Sequence, residues 1–140
     1  EVASTVDDLT GLVNRRRFEE ECQREHRRAQ REWVSYAIAR VDVDAMNAFN
    51  ERLGRPAGDD LLRKIGEALR SARREYDLVA RWVDDEFVLL LPRADALAAR
   101  KVIARTIGEV HEKARAENPD GDFGWFANPP STTGDDPPPR

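Results

Sequence analysis

The sequence predicts an α/β sandwich with a mixed sheet, on three observations. Apolar residues recur with a period near 3.6 in three charged stretches, they alternate every second residue over 35–43, and two short apolar runs flank the acidic turn "VDDE". The resulting order is helix, strand, two helices, hairpin, helix, strand. Helices alternating with strands around an antiparallel hairpin call for a central sheet of four to five strands flanked by helices.

Residues 15–31 place Phe18, Cys22, His26 and Ala29 on one stripe of an amphipathic helix, with Glu20 and Arg24 spaced to pair at i,i+4. Ser35 to Val43 is a strand in which Ala37, Ala39, Val41 and Val43 share a face. Ala45 to Leu53 is a short helix that Gly54 ends. Residues 57–73 form the next helix, with Leu61, Leu62, Ile65, Ala68, Leu69 and Ala72 on its apolar face. Strands at 77–83 and 86–91 follow, the second closed by Pro92. A helix from Ala94 to Ala116 has a stripe of Ala99, Ile103, Ile107, Val110 and Ala114, and Phe123 to Ala127 suits a last short strand. The ending "NPPSTTGDDPPPR" has too little apolar surface to pack. It divides the chain into a domain over 1–128 and a Pro-rich disordered tail over 129–140.

Composition narrows the function classes. A chain of 140 residues suits one domain and buries a core without metal or disulfide staples. With 36% charged residues and a net charge of −4, the domain is expected to touch neither nucleic acid nor membrane directly. The single cysteine, Cys22, excludes an internal disulfide and points to a reducing, cytoplasmic setting. The longest apolar run, Phe87 to Leu91, is far too short to span a bilayer. The abrupt start suggests a fragment of a longer protein.

The acids then take on meaning. "RVDVDA" puts Asp42 and Asp44 at the end of the first strand, and "RWVDDEF" puts Asp85 and Glu86 at the hairpin tip. Neighbouring strands would bring Asp42 and Asp85 together, as a hard cation such as Mg²⁺ requires. Acids at strand ends also serve as solvated turn residues, and spacing alone leaves both readings open.

Three linked motifs carry a family resemblance. "DDLTGLVNRRRF" (7–18), "VDVDAMNAFNERLGRPAGDDLL" (41–62) and "RWVDDEFVLLLP" (81–92) resemble, in order and spacing, the motifs of the GGDEF, or diguanylate cyclase, family. In active relatives two such domains face each other, each with one GTP, and join the two into cyclic di-GMP. The resemblance implies Asp42, the Val43 carbonyl and Asp85 at Mg²⁺, which is expected only if nucleotide binds. It implies Glu86 near the attacking hydroxyl, and Asn50 and Asp59 on the guanine edge, an amide and a carboxylate suited to that base's donors and acceptor. Asp59 also suits a helix N-cap.

The departures from the pattern are specific. Val83 and Asp84 stand where the signature has two glycines. Valine resists positive φ, whereas aspartate tolerates it, so the turn is expected to form but to crowd a triphosphate. A like charge about 4 Å from phosphate costs roughly 4 kcal/mol at an effective dielectric of ~20. Asn47 replaces the family's lysine, Met46 its phenylalanine and Arg55 its histidine. Arg40 shares a strand face with Asp42, where its guanidinium would stand in for part of a metal's charge or would simply be solvated. The family's closing basic helix and strand have no counterpart in "NPPSTTGDDPPPR". An R-x-x-D site is retained: "REYD" places Arg74 and Asp77 five residues before the signature, with Arg105 as a secondary arginine. Such guanidiniums suit the phosphates and guanine edges of cyclic di-GMP, although a helix-end ion pair would give the same spacing.

Three functions follow. The first is a regulatory domain with little or no cyclase activity that binds cyclic di-GMP, or GTP without turnover. The second is a weak or active cyclase. The third is a protein-interaction domain without nucleotide. A homodimer and a protein partner are compatible with each.

Overall fold

The computed structural model describes residues 4–43, 46–117 and 132–134. Its elements are α1 (Arg15–Glu32), β1 (Tyr36–Asp42), α2 (Met46–Leu53), α3 (Arg55–Ala72), β2 (Leu78–Val83), β3 (Glu86–Pro92), α4 (Ala96–Glu117) and β4 (Thr132–Gly134). The strands form one sheet in the order β2-β3-β1-β4. Each of these pairs is antiparallel, so the sheet is not the mixed one expected; among the described residues the parallel pairing is an isolated bridge between Val13 and Ala80.

Alternation along β3 sets the layers. Phe87, Leu89 and Leu91 point to one face and Val88 and Leu90 to the other, all buried. The first face packs with Ala39 and Val41 against Leu61, Ile65 and Leu69 of α3 and Ile103 and Ile107 of α4. The second packs with Ala80 against Phe18 and Cys22 of α1. Phe87 and Leu89 are wholly buried, and truncation of either to Ala would cost about 2–5 kcal/mol. Trp82 pins α1 from the sheet, edge-on to Phe18 and 4.1 Å beneath the Arg15 guanidinium.

Local chemistry explains where the elements start and stop. Asn14 caps α1 by accepting from Arg17 N at 3.0 Å, and Trp33 ends the helix at φ +56°. The buried stripe is Phe18, Cys22, Glu25 and Ala29; the expected His26 is exposed and its Nδ1 meets the Tyr36 hydroxyl at 2.8 Å. Glu25 tolerates burial because Arg28 donates to both of its oxygens. The expected Glu20–Arg24 pair does not form. Glu20 reaches back to Arg16 and Arg17, and Arg24 takes Glu21.

The third helix begins earlier than the pattern suggests. Gly54, at φ +91°, turns the chain and Pro56 presets the first helical turn. Asp59 therefore lies inside α3 and is not its N-cap. At the tail, Thr132–Gly134 pairs with Val41–Ala39, so these three residues form a strand where disorder was expected. The strand expected at Phe123 to Ala127 lies outside the described residues, as does the rest of the tail.

Candidate functional site

The hairpin tip and the end of β1 meet by register. Asp42 stands opposite Glu86, and Val43 N donates to the Asp85 carbonyl at 3.0 Å. This draws together four of the residues implied by sequence: Asp42, Val43, Asp85 and Glu86. Asp44 lies outside the described residues.

The tip forms despite its substitutions. Val83 and Glu86 pair across a two-residue loop, Asp84-Asp85, and a register irregularity falls between Arg81 and Val83. Asp84 takes the left-handed φ of +49°, while Val83 stays in the strand with its side chain exposed. The residue types dictate this division, because a β-branched side chain clashes more severely at positive φ than a short polar one, which tolerates that conformation at a smaller cost.

An arginine supports the turn from below. Arg81 donates from Nε and Nη2 to the Asp84 carbonyl at 3.1 and 2.9 Å, and its Nη1 lies 3.4 Å from Asp7. Asp7 also accepts from Thr10 N and Thr10 Oγ1 at 2.9 and 2.8 Å. Burial pushes the Asp7 carboxyl pKa up, but the Thr10 hydrogen bonds and Arg81 outweigh it and hold the group below its ordinary value. Sequence reasoning missed this cluster, although Asp7, Thr10 and Arg81 all lie within the motifs.

The carboxylates are unevenly served. Arg40 Nε lies 3.7 Å from Glu86 Oε2, so the guanidinium expected beside Asp42 pairs with Glu86 instead. Asp42 Oδ1 is buried and accepts no hydrogen bond among the described residues. No three acidic, His or Cys side chains converge as a metal cluster among those residues. The implied set needs two carboxylates and a carbonyl, and the orphaned Asp42 oxygen fits a hard cation.

The guanine-edge pair sits on α2 and α3. Asn50 Oδ1 is buried without a hydrogen-bond partner among the described residues, and the Asn50 amide lies against Gly58 so closely that a Cβ there would overlap it. Asp59, next in α3, is half-buried. Asn47 and Arg55 are exposed, and Met46 is buried in the core.

The R-x-x-D residues are locked to each other. Asp77 accepts from Arg74 Nε and Nη2, and Arg74 Nη2 also donates to the Pro92 carbonyl. The hydrogen bonds to Asp77 raise the pKa of Arg74. Arg105 does not join them; it is exposed and pairs with Glu109 on its own helix. Beside Asp77 is a cleft of about 560 Å³ between α1 and the segment 73–79, which was not anticipated.

Comparison with known proteins matches this architecture. The family model "Diguanylate cyclase, GGDEF domain" matches residues 4–133. The chain is 36% identical over 100 residues to diguanylate cyclase DgcP of Pseudomonas aeruginosa, covering 71% of this chain and 15% of that protein. It is 37% identical over 84 residues to the cyclic di-GMP phosphodiesterase NbdA of the same organism, covering 60% of this chain and 11% of that protein. Among solved structures, diguanylate cyclase SiaD of P. aeruginosa, in complex with its activator SiaC, superposes with a TM-score of 0.73 at 42% identity, over 78% of this chain and 42% of that one. The chain thus spans a small part of the curated relatives it matches. With the family match running over nearly its whole length, this chain belongs to the GGDEF domain family.

Proposed function

We propose that this GGDEF domain is a regulatory module of cyclic di-GMP signalling with little or no cyclase activity of its own. One observation carries the reading: the hairpin tip presents an exposed Val83 and a left-handed Asp84 where the family signature has glycines. Val83 adds bulk on the path of a triphosphate, and Asp84 adds negative charge there. Asn47 supplies no cation in place of the family's lysine. The residues that remain support nucleotide contact short of turnover. Asp42, the Val43 carbonyl and Asp85 would hold Mg²⁺, which would neutralise phosphate charge. Asn50 Oδ1, without a hydrogen-bond partner among the described residues, would accept from a guanine edge, and Asp59 on α3 would supply the second contact. Purified protein given GTP and Mg²⁺ should yield little or no cyclic di-GMP. Turnover at ~1 s⁻¹ or faster, ordinary for an enzyme, overturns the reading.

The cleft supports a second ligand, cyclic di-GMP itself. Arg24, Arg28, Arg70 and Arg73 line it, but so do Glu21, Glu25, Glu75 and Asp77. The charges balance, so an incoming phosphate must displace existing ion pairs, and the affinity is expected to be micromolar, about −8 kcal/mol. Arg105 does not line this cleft. Arg28→Ala or Arg73→Ala should weaken binding about ten-fold. No calorimetric heat up to roughly 100 µM ligand, about −5.5 kcal/mol, would remove this ligand and leave a protein partner as the output. The SiaD complex with its activator is the precedent for such a partner.

A further inference from the structure

We propose that Arg40 is a built-in counter-cation of the strand-end carboxylates, and that it holds a divalent metal ion off them. The proposal rests on reading the tip as a metal-type site. Its evidence is separate from the glycine replacements at the turn.

Register makes the contact possible. Arg40 stands opposite Val88 and Asp42 opposite Glu86, so Arg40 and Glu86 are diagonal neighbours on the same face of the sheet. A diagonal is too long for a short side chain but within reach of arginine, and Nε arrives 3.7 Å from Glu86 Oε2. Asp42, two residues along the same strand, turns the same way. One guanidinium therefore lies beside one of the acids and next to the strand position of the other, whose Oδ1 is buried and has no hydrogen-bond partner among the described residues.

A guanidinium and a metal ion do different things for these acids. The metal ion would bind carboxylate and carbonyl oxygens directly and leave positions open for a ligand. The guanidinium supplies positive charge through N–H groups, keeps that charge at any physiological pH, and opens no coordination position. A divalent ion entering here must displace Arg40 from Glu86 or accept a fixed positive neighbour. Arg40 is 48% exposed. Water screening therefore moderates the competition, and a finite loss of metal affinity is expected rather than its abolition.

The test compares Mn²⁺ binding, without nucleotide, in the unaltered chain, Arg40→Met and Arg40→Lys. Calorimetry reads affinity, and the melting temperature with and without Mn²⁺ gives a second readout. Methionine keeps the length of the stem and removes the charge. The Arg40 side chain is half-exposed, so all three proteins are expected to fold. Arg40→Met should bind Mn²⁺ at least ten-fold more tightly than the unaltered chain, and Arg40→Lys should stay within about three-fold of it. Equal affinities for the unaltered chain and Arg40→Met, or no binding by either up to roughly 10 mM, overturn the proposal. So does an Arg40→Lys protein that behaves as Arg40→Met. Cyclic di-GMP synthesis by the unaltered chain would instead overturn the silent-domain reading, and it leaves the metal comparison standing.

Discussion

Arg74 closes over Asp77 with hydrogen bonds of 2.7 to 3.0 Å from Nε and Nη2, and the Asp77 side chain has no exposed surface. Asp77 further accepts from the Arg74 backbone N–H, and Arg74 reaches the Pro92 carbonyl, so the pair ties the end of α3 to the end of β3. Arg74→Ala would leave a buried carboxylate without its cation. Breaking a buried pair in this way costs about 3–5 kcal/mol. Chemical denaturation should show a loss at or near the lower end of that range, because the Arg74 side chain is 32% exposed. Arg73→Ala, which loses two bonds to the backbone carbonyls of Arg74 and Glu75 and strands no buried charge, should stay within about 1 kcal/mol. Equal, small losses for the two would mean that the Arg74–Asp77 lock contributes little.

The two replaced glycines should respond in opposite directions. Val83 is a strand residue, and Val83→Gly loses β-branched stiffness and raises chain entropy, for a loss of about 1 kcal/mol. Asp84 sits at φ +49°, where an L-residue is strained. Asp84→Gly relieves that strain, and the Arg81 bonds go to a carbonyl that glycine retains. A gain of about 0.5 kcal/mol, or no change, is expected in urea unfolding. A loss for Asp84→Gly as large as that for Val83→Gly would show that the Asp84 side chain supports the turn.

Much of this architecture was legible because it depends on short-range periodicity. The hairpin follows from two apolar runs about an acidic turn, and the meeting of Asp42 with the tip follows from strand order. What escaped depends on distance or on small rotations. Arg81 and Asp7 are 74 residues apart, and no local pattern pairs them. The exchange of His26 for Glu25 is a shift of one position on a helix, and it turns on whether Arg28 can neutralise a buried acid. Arg105 pairs with Glu109 on α4 and does not join Arg74, because a position in sequence gives a helix face but not its neighbours. Thr132–Gly134 pairs with β1 despite a composition that favours disorder, because three backbone residues suffice to extend an open sheet edge.

Acid should loosen the N-terminal loop. The Asp7 carboxyl has a folded pKa below its ordinary 3.8. A depressed carboxylate contributes stability that is fully present above the unfolded pKa and is lost as pH falls through the folded one. Asp7→Asn should therefore be less stable than the unaltered chain by about 1–2 kcal/mol at neutral pH, the scale of hydrogen bonds to a charged group. The gap should narrow below about pH 4. A gap constant across that range would mean that Asp7 gains nothing from its charge.

Gly58 offers a way to move Asn50 without unfolding the domain. It lies inside α3, where Ala is favoured over Gly by about 1 kcal/mol. A Cβ at this position overlaps the Asn50 amide, and only the end of that side chain need move to admit it. Gly58→Ala should therefore melt at or above the temperature of the unaltered chain while displacing the group proposed to read guanine. If GTP binds through Asn50, the variant should lose at least ten-fold in affinity, about 1.4 kcal/mol, with thermal stability intact. ATP provides the control, because it lacks the guanine edge, and any weak ATP binding should not change. Unchanged GTP affinity in a Gly58→Ala protein would separate Asn50 from the nucleotide and leave Asp59 as the remaining guanine contact.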